Sequence, residues 1–207
     1  MPKKNVAAAA TLLGTAASSA IGFGLIARRV SERETSSADG RARRVVRKRA
    51  KRALKKVAKY TGPLGKWYVH IPAALLAAGA LGLQRKKRGA LAVAASSLGA
   101  AALSRLLDRA LRHRAPPPGR HEPSEQSFPS GHALEPTAAV IAGAYVLVRE
   151  GVASPWVAVP IALAWAGAGL GRLVLDRHWA SDSLGGYLAG VALGTACAGA
   201  YELARDG

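Results

Sequence analysis

The sequence predicts an all-α integral membrane bundle of about six transmembrane helices plus a basic amphipathic helix, and three observations carry that expectation. Apolar runs of helix length recur along a chain whose residues are half hydrophobic. Only 5% of the residues are aromatic, with Ala and Gly dominating the apolar part, and such small residues let helices approach closely inside a bilayer. No run alternates with the period of two that barrel strands need, and no tandem repeat stands out. A chain of 207 residues accommodates one such bundle with an appended tail. Residues 1–66 read as an apolar helix, a polar linker and the basic helix, and 67–207 as the membrane core. The formal charge of +18, from 30 Lys+Arg against 12 Asp+Glu, calls for an anionic partner: lipid, nucleic acid or a phosphorylated substrate. A single cysteine, Cys197, excludes a disulfide framework and a cysteine-based metal cluster.

Taken in order, residues 6–27 carry no charge and follow Lys3 and Lys4. That stretch is long enough to cross a bilayer, which takes about 20 residues, and a retained span is preferred over a signal peptide because it completes an even bundle. Residues 28–40 are polar and read as a linker. Residues 41–59 hold eleven Lys or Arg and no acid. Their apolar residues, among them Val46, Ala50, Leu54 and Val57, recur mostly at helical steps, giving one narrow greasy face. The expected partner of this stretch is an anionic membrane surface. Phosphate-mediated nucleic-acid binding and a merely solvated tail are the competing readings, and no nucleic-acid partner is expected.

Trp67–Leu83 opens with an aromatic pair of the kind found at membrane interfaces and ends at the basic turn 84–88. Residues 89–103 follow directly, so the two form a hairpin. Residues 133–148, 155–170 and 185–200 supply the remaining spans, several of them short for a bilayer. By the parity of the crossings, the 104–128 loop, the 171–182 loop and the start of the fourth span all fall on one side of the membrane.

Ser127-Phe-Pro-Ser-Gly-His132 directly precedes the fourth span. It sets a hydroxyl, a flexible glycine and an imidazole at a helix N-terminus, where free N–H groups and the helix dipole favour a phosphate. Pro129 suits the first helical position. A plain Ser-Gly helix cap is the bland alternative. Some forty residues on come Arg172, His178 and Asp182. If that segment is helical, His178 and Asp182 share a face. The carboxylate then accepts the Nδ1–H and leaves Nε2 free as a nucleophile, while the planar fork of Arg172 matches phosphate oxygens. Singly, Arg172 could snorkel and His178 with Trp179 could anchor at the interface. Glu135 reads as an ordinary acid in a first helical turn or as a neighbour of His132, and His70 and His121 as interface or loop residues.

These motifs resemble the type-2 phosphatidic acid phosphatase, or lipid phosphate phosphatase, superfamily over roughly residues 67–203. The family pattern is Lys-x6-Arg-Pro, then Pro-Ser-Gly-His, then Ser-Arg-x5-His-x3-Asp. The middle part stands as Pro129-Ser130-Gly131-His132, and the third as Gly171-Arg172, His178 and Asp182, with Gly171 in place of serine. The first part is degraded: Arg105-x6-Arg112 keeps the spacing but His113 follows it, and Arg114 near Pro116 lacks the lysine. The resemblance implies His178 as a nucleophile that forms a phosphohistidine, with Asp182 holding it. It implies His132 as general acid and then base. Ser130, the Gly131 amide and Arg172, with Arg105, Arg112 or Arg114 from the first part, are implied as ligands of the phosphoryl oxygens. No metal or other cofactor is implied. The expected function is hydrolysis of a lipid phosphate or polyprenyl (pyro)phosphate, in a cell membrane of bacterial type. A vanadate-dependent haloperoxidase and a non-catalytic membrane or nucleic-acid-binding protein with vestigial motifs are the alternatives. Lys/Arg bias in the loops favours a cytoplasmic site.

Overall fold

In a computed structural model that describes residues 3–119 and 125–205, the chain forms eight α-helices and no strand among the described residues. They are α1 (Lys3–Ser31), α2 (Ser36–Arg49), α3 (Arg52–Thr61), α4 (Trp67–Leu83), α5 (Lys87–Ala110), α6 (Gly131–Arg149), α7 (Pro155–Val174) and α8 (Ala180–Arg205), with a 3₁₀ turn at Gly62–Gly65. Among the described residues, five of them (α1, α5, α6, α7 and α8) are long and apolar enough to cross a membrane. The sixth expected span, α4, has 17 residues and a length of about 25 Å, short of the hydrocarbon core's ~30 Å.

All six apolar runs are helices, but three extend well beyond their apolar stretch. The polar residues 104–110, 171–174 and 180–184 continue α5, α7 and α8. Their backbone bonds are satisfied within the helix whatever the side chain, so polarity marked an end where the backbone had none. The N-terminal third departs further from expectation. The expected linker 28–40 is mostly helix, split between the end of α1 and the start of α2, around a turn with Arg33 at φ 62°. The expected single basic helix over 41–59 is two helices, broken where Ala50 turns out of helical geometry at ψ 89°. The break lets α2 lie against α7 and α8 while α3 packs along α7, two contacts that one straight rod would not make together.

The core is built on α8, which runs beside both α1 and α6. Gly186, Gly190 and Gly194 stand four residues apart on its α6 face. A Cβ at each would lie 2.5 Å from the Ser130 carbonyl oxygen, 2.6 Å from that of Leu134 and 2.9 Å from that of Ala138, respectively. Only a missing side chain permits that approach, and in a bilayer close backbone packing replaces the hydrophobic drive that water would supply. Gly199 likewise admits Leu13 of α1. At the end away from His132, Glu202 is fully buried and accepts from Arg149 at 2.7 Å and Tyr145 at 2.8 Å, closing the same helix pair. The other end gathers the starts of α4, α6 and α8 and the ends of α5 and α7.

Gly190→Ala should therefore lower the thermal midpoint in detergent, by about 1–3 kcal/mol of overpacking. Gly79→Ala, where a Cβ meets nothing within 4 Å, should leave it unchanged or slightly raised.

Candidate active site

The chain enters α6 through Phe128, buried and stacked on Phe23 with ring centroids 6.0 Å apart. Pro129 follows a cis peptide and stands outside the helix rather than at its first position. Ser130 is the capping residue, extended at φ −68° and ψ 111°, but its side chain makes no cap bond. Gly131 and His132 form the first turn, whose N–H groups have no partner within the helix. The bland reading of the serine as a plain cap is thus not what the hydroxyl does.

His178 lies in the short turn between α7 and α8, and Asp182 in the first turn of α8. They do not share a helix face, and the expected bond between them is not direct. Nδ1 of His178 is 3.0 Å from the Ser127 carbonyl oxygen and 3.8 Å from Asp182 Oδ2. A carbonyl oxygen only accepts, so Nδ1 carries the proton and Nε2 holds the lone pair. Asp182 acts one step behind. Its buried carboxylate accepts from the Ser127 hydroxyl, from the Trp179 backbone N–H at 2.8 Å and from Arg114 at 2.8 Å. Its backbone carbonyl accepts the Ser130 N–H at 3.0 Å. One residue therefore fixes both loops.

His132, His178 and Arg172 line one cavity of about 420 Å³, together with Gly131, Lys66 and Arg177 and the acids Asp108, Glu125 and Glu135. Among the described residues six buried side-chain atoms have no hydrogen-bond partner, and Ser130 Oγ, His132 Nε2 and Arg172 Nε are three of them. Such groups are costly to leave bare, by about 1–3 kcal/mol each, unless something else arrives to satisfy them. These three belong to the second and third motifs. Glu135 also meets this cavity but bonds His70 Nε2 at 2.8 Å, and His70 Nδ1 lies 3.1 Å from Ser97 Oγ. His70 is fully buried, not an interface residue, and His121 lies outside the described residues. Among the described residues no three His, Cys, Asp or Glu converge as a metal site.

The degraded first motif does not reach this cavity. Arg105 is exposed on α5. Arg112 is exposed and lines a second cavity, of about 640 Å³, beside Arg28, Arg33 and Arg114. Arg114 bonds Asp182 and Ser181, and also Asp39 Oδ2 at 2.6 Å. With two carboxylates on its guanidinium, it braces the His178 turn instead of facing a phosphate. Asp39 completes the brace, accepting from the Ser181 backbone N–H at 2.9 Å and hydroxyl at 2.7 Å. Arg43 adds a two-pronged pair to Asp176, both bonds 2.7 Å. Asp176 has φ 59°, one residue before the tight turn into His178. Sequence reasoning missed Asp39 and Arg43, which sit in a polar stretch and a basic run with nothing to single them out. It missed Lys66, hidden in a Gly-Pro turn. Arg177 had a usable signal, lying beside His178 inside the third motif.

Burial alone would raise the Asp39 carboxyl, but the Arg114 and Ser181 bonds outweigh that and hold it below the usual carboxylate range. A depressed folded value means stability present above the unfolded pKa of about 4 and lost as pH falls through the folded one. Asp39→Asn should therefore lower stability at pH 7 by about 3 kcal/mol. The gap to wild type should narrow as thermal scans are taken down through pH 4 and below.

The sequence profile of the PAP2 superfamily matches residues 90–205. No curated protein sequence matches the chain. Among solved structures, the crystal structure of the first transmembrane PAP2 type phosphatidylglycerolphosphate phosphatase from Bacillus subtilis superposes with a TM-score of 0.72 at 24% identity. The match covers 87% of this chain and 92% of that one, and establishes a common fold. With more than half its length inside the family profile, the chain belongs to the PAP2 superfamily.

Proposed function

We propose that this protein is an integral-membrane phosphatase that removes phosphate from a lipid phosphate or polyprenyl diphosphate, through a phosphohistidine on His178. The observation that carries the reading is a pair of buried, partnerless nitrogens, His132 Nε2 and Arg172 Nε, lining one cavity with a histidine whose Nδ1 is taken by a backbone carbonyl, while Ser130 Oγ, also partnerless, is buried one residue before that lining. A phosphoryl group supplies what those atoms lack. Family membership and the Bacillus neighbour, described as a phosphatidylglycerolphosphate phosphatase, support a phosphorylated lipid as substrate. So does the cavity's place at the ends of apolar helices, where a head group sits while its chains stay in the bilayer.

Nε2 of His178 attacks phosphorus, and the bond from phosphorus to the lipid oxygen breaks. His132 gives its proton to the leaving alkoxide, and the phosphate's own negative charge supports that imidazolium. His132 then takes a proton from water, whose oxygen attacks the phosphohistidine and releases inorganic phosphate and neutral His178. Arg172, Ser130 and the first-turn N–H groups of α6 stabilise the charge on the equatorial oxygens in both steps. The exposed bases of α2 and α3, at the same end, would hold anionic head groups nearby, in a membrane of bacterial type.

His178→Ala should reduce phosphate release from phosphatidylglycerolphosphate, phosphatidic acid and undecaprenyl diphosphate by about a thousandfold or more, with the folded protein intact. Arg172→Lys should cost about a hundredfold. Undiminished turnover in His178→Ala would remove the reading.

A further inference from the structure

We infer that Lys66, which lies outside all three family motifs, is a phosphate-binding residue of this site. The inference rests on the phosphatase reading above. With Arg105 and Arg112 outside the cavity and Arg114 bound to Asp39 and Asp182, one wall would hold only Arg172 and Arg177 as permanent cations. Lys66 is the third. Its ammonium has no carboxylate within ion-pairing distance among the described residues. Its recorded partner is the Tyr68 ring, 5.4 Å from the centroid.

The turn that carries Lys66 is built onto the site at three points. Gly65 lies against His132 so tightly that a Cβ there would come within 2.8 Å of the imidazole Cδ2. The Leu64 carbonyl accepts the Trp165 indole N–H at 2.7 Å. One helix earlier, Ala58 touches α7 at Gly171, where a Cβ would meet Ala58 backbone at 3.4 Å. A Cβ there would be in ordinary van der Waals contact, so α3 is seated directly on α7. The turn that follows α3 sets Gly65 against His132 and Lys66, next in the chain, on the wall of the same cavity.

An ammonium at that position faces the same phosphoryl oxygens as Arg172. It is a mobile point charge, suited to following charge from the bound monoester to the transition state. Asp108, Glu125 and Glu135 line the same cavity, so its net charge is close to balanced and removal of one lysine is a large fractional change.

The test uses the full-length protein in detergent, with inorganic phosphate as probe. Lys66→Gln should lower kcat/KM about 10- to 100-fold and raise the inhibition constant of inorganic phosphate by a similar factor, without moving the thermal midpoint. Lys66→Arg should recover most of both. Lys87→Gln, at the far end of the bundle, should change neither. Unchanged phosphate inhibition and unchanged kcat/KM in Lys66→Gln overturn the inference, as does an equal loss in Lys87→Gln. The parent reading is separated by His178→Ala. If that variant is inactive while Lys66→Gln behaves as wild type, only the lysine's role fails. If His178→Ala stays active, the phosphatase mechanism fails, and phosphate inhibition still reports on Lys66.

Discussion

The buried carboxylate of Asp182 is the constraint on which the site depends. A bare carboxylate at that depth would cost several kcal/mol, and here it accepts from Ser127, Trp179 and Arg114. Those bonds join the segment leading into α6 to the turn leading into α8. Ser127, fixed by its hydroxyl, presents its carbonyl to His178 Nδ1, and the tautomer follows. Orientation of His178 thus passes through a backbone carbonyl, with Asp182 one bond behind. The close crossing of α6 and α8 over Gly186 and Gly190 sets the two loops at a distance where a single side chain can span them.

Around that centre the cations have been redistributed. Arg114 stands near where a phosphate-binding arginine was expected, yet it sits between Asp39 and Asp182. The N-terminal segment reaches into this centre: Asp39 of α2 bonds Ser181 and Arg43 bonds Asp176, on either side of the turn that holds His178. Trp179 lies under both Arg43 and Arg114, with the guanidinium carbons 5.8 and 5.6 Å from its ring, which closes the turn from outside. The basic run therefore has two kinds of residue. Most of its Lys and Arg are exposed, but a few contacts on one face knit it to the catalytic end.

Hydrophobic runs and two short motifs made the bundle and most of the site legible in the sequence. Apolar length marks a membrane helix because the bilayer forbids unsatisfied backbone, so each span was visible on its own. Ser130, Gly131, His132, Arg172, His178 and Asp182 were visible because their spacing is local. What the sequence hid were pairings between distant segments. Nothing in residues 28–40 marks Asp39 as the partner of Ser181, 142 positions away. Nothing in Gly-Pro-Leu-Gly-Lys says that its last glycine packs on His132 and its lysine lines the same cavity. The first motif misled for the same reason: its arginines have suitable spacing, but whether an arginine faces a phosphate or a carboxylate is decided by the fold around it. The helix ends were misplaced because polar side chains pointing into the site were read as loop.

An experimental structure with orthovanadate, which mimics the five-coordinate phosphoryl group, tests the central claim most directly. The account predicts vanadium bonded to His178 Nε2, with Arg172, Ser130 and His132 on its oxygens. Vanadate bound instead in the larger cavity between Arg112 and Trp179, with His178 untouched, would contradict it.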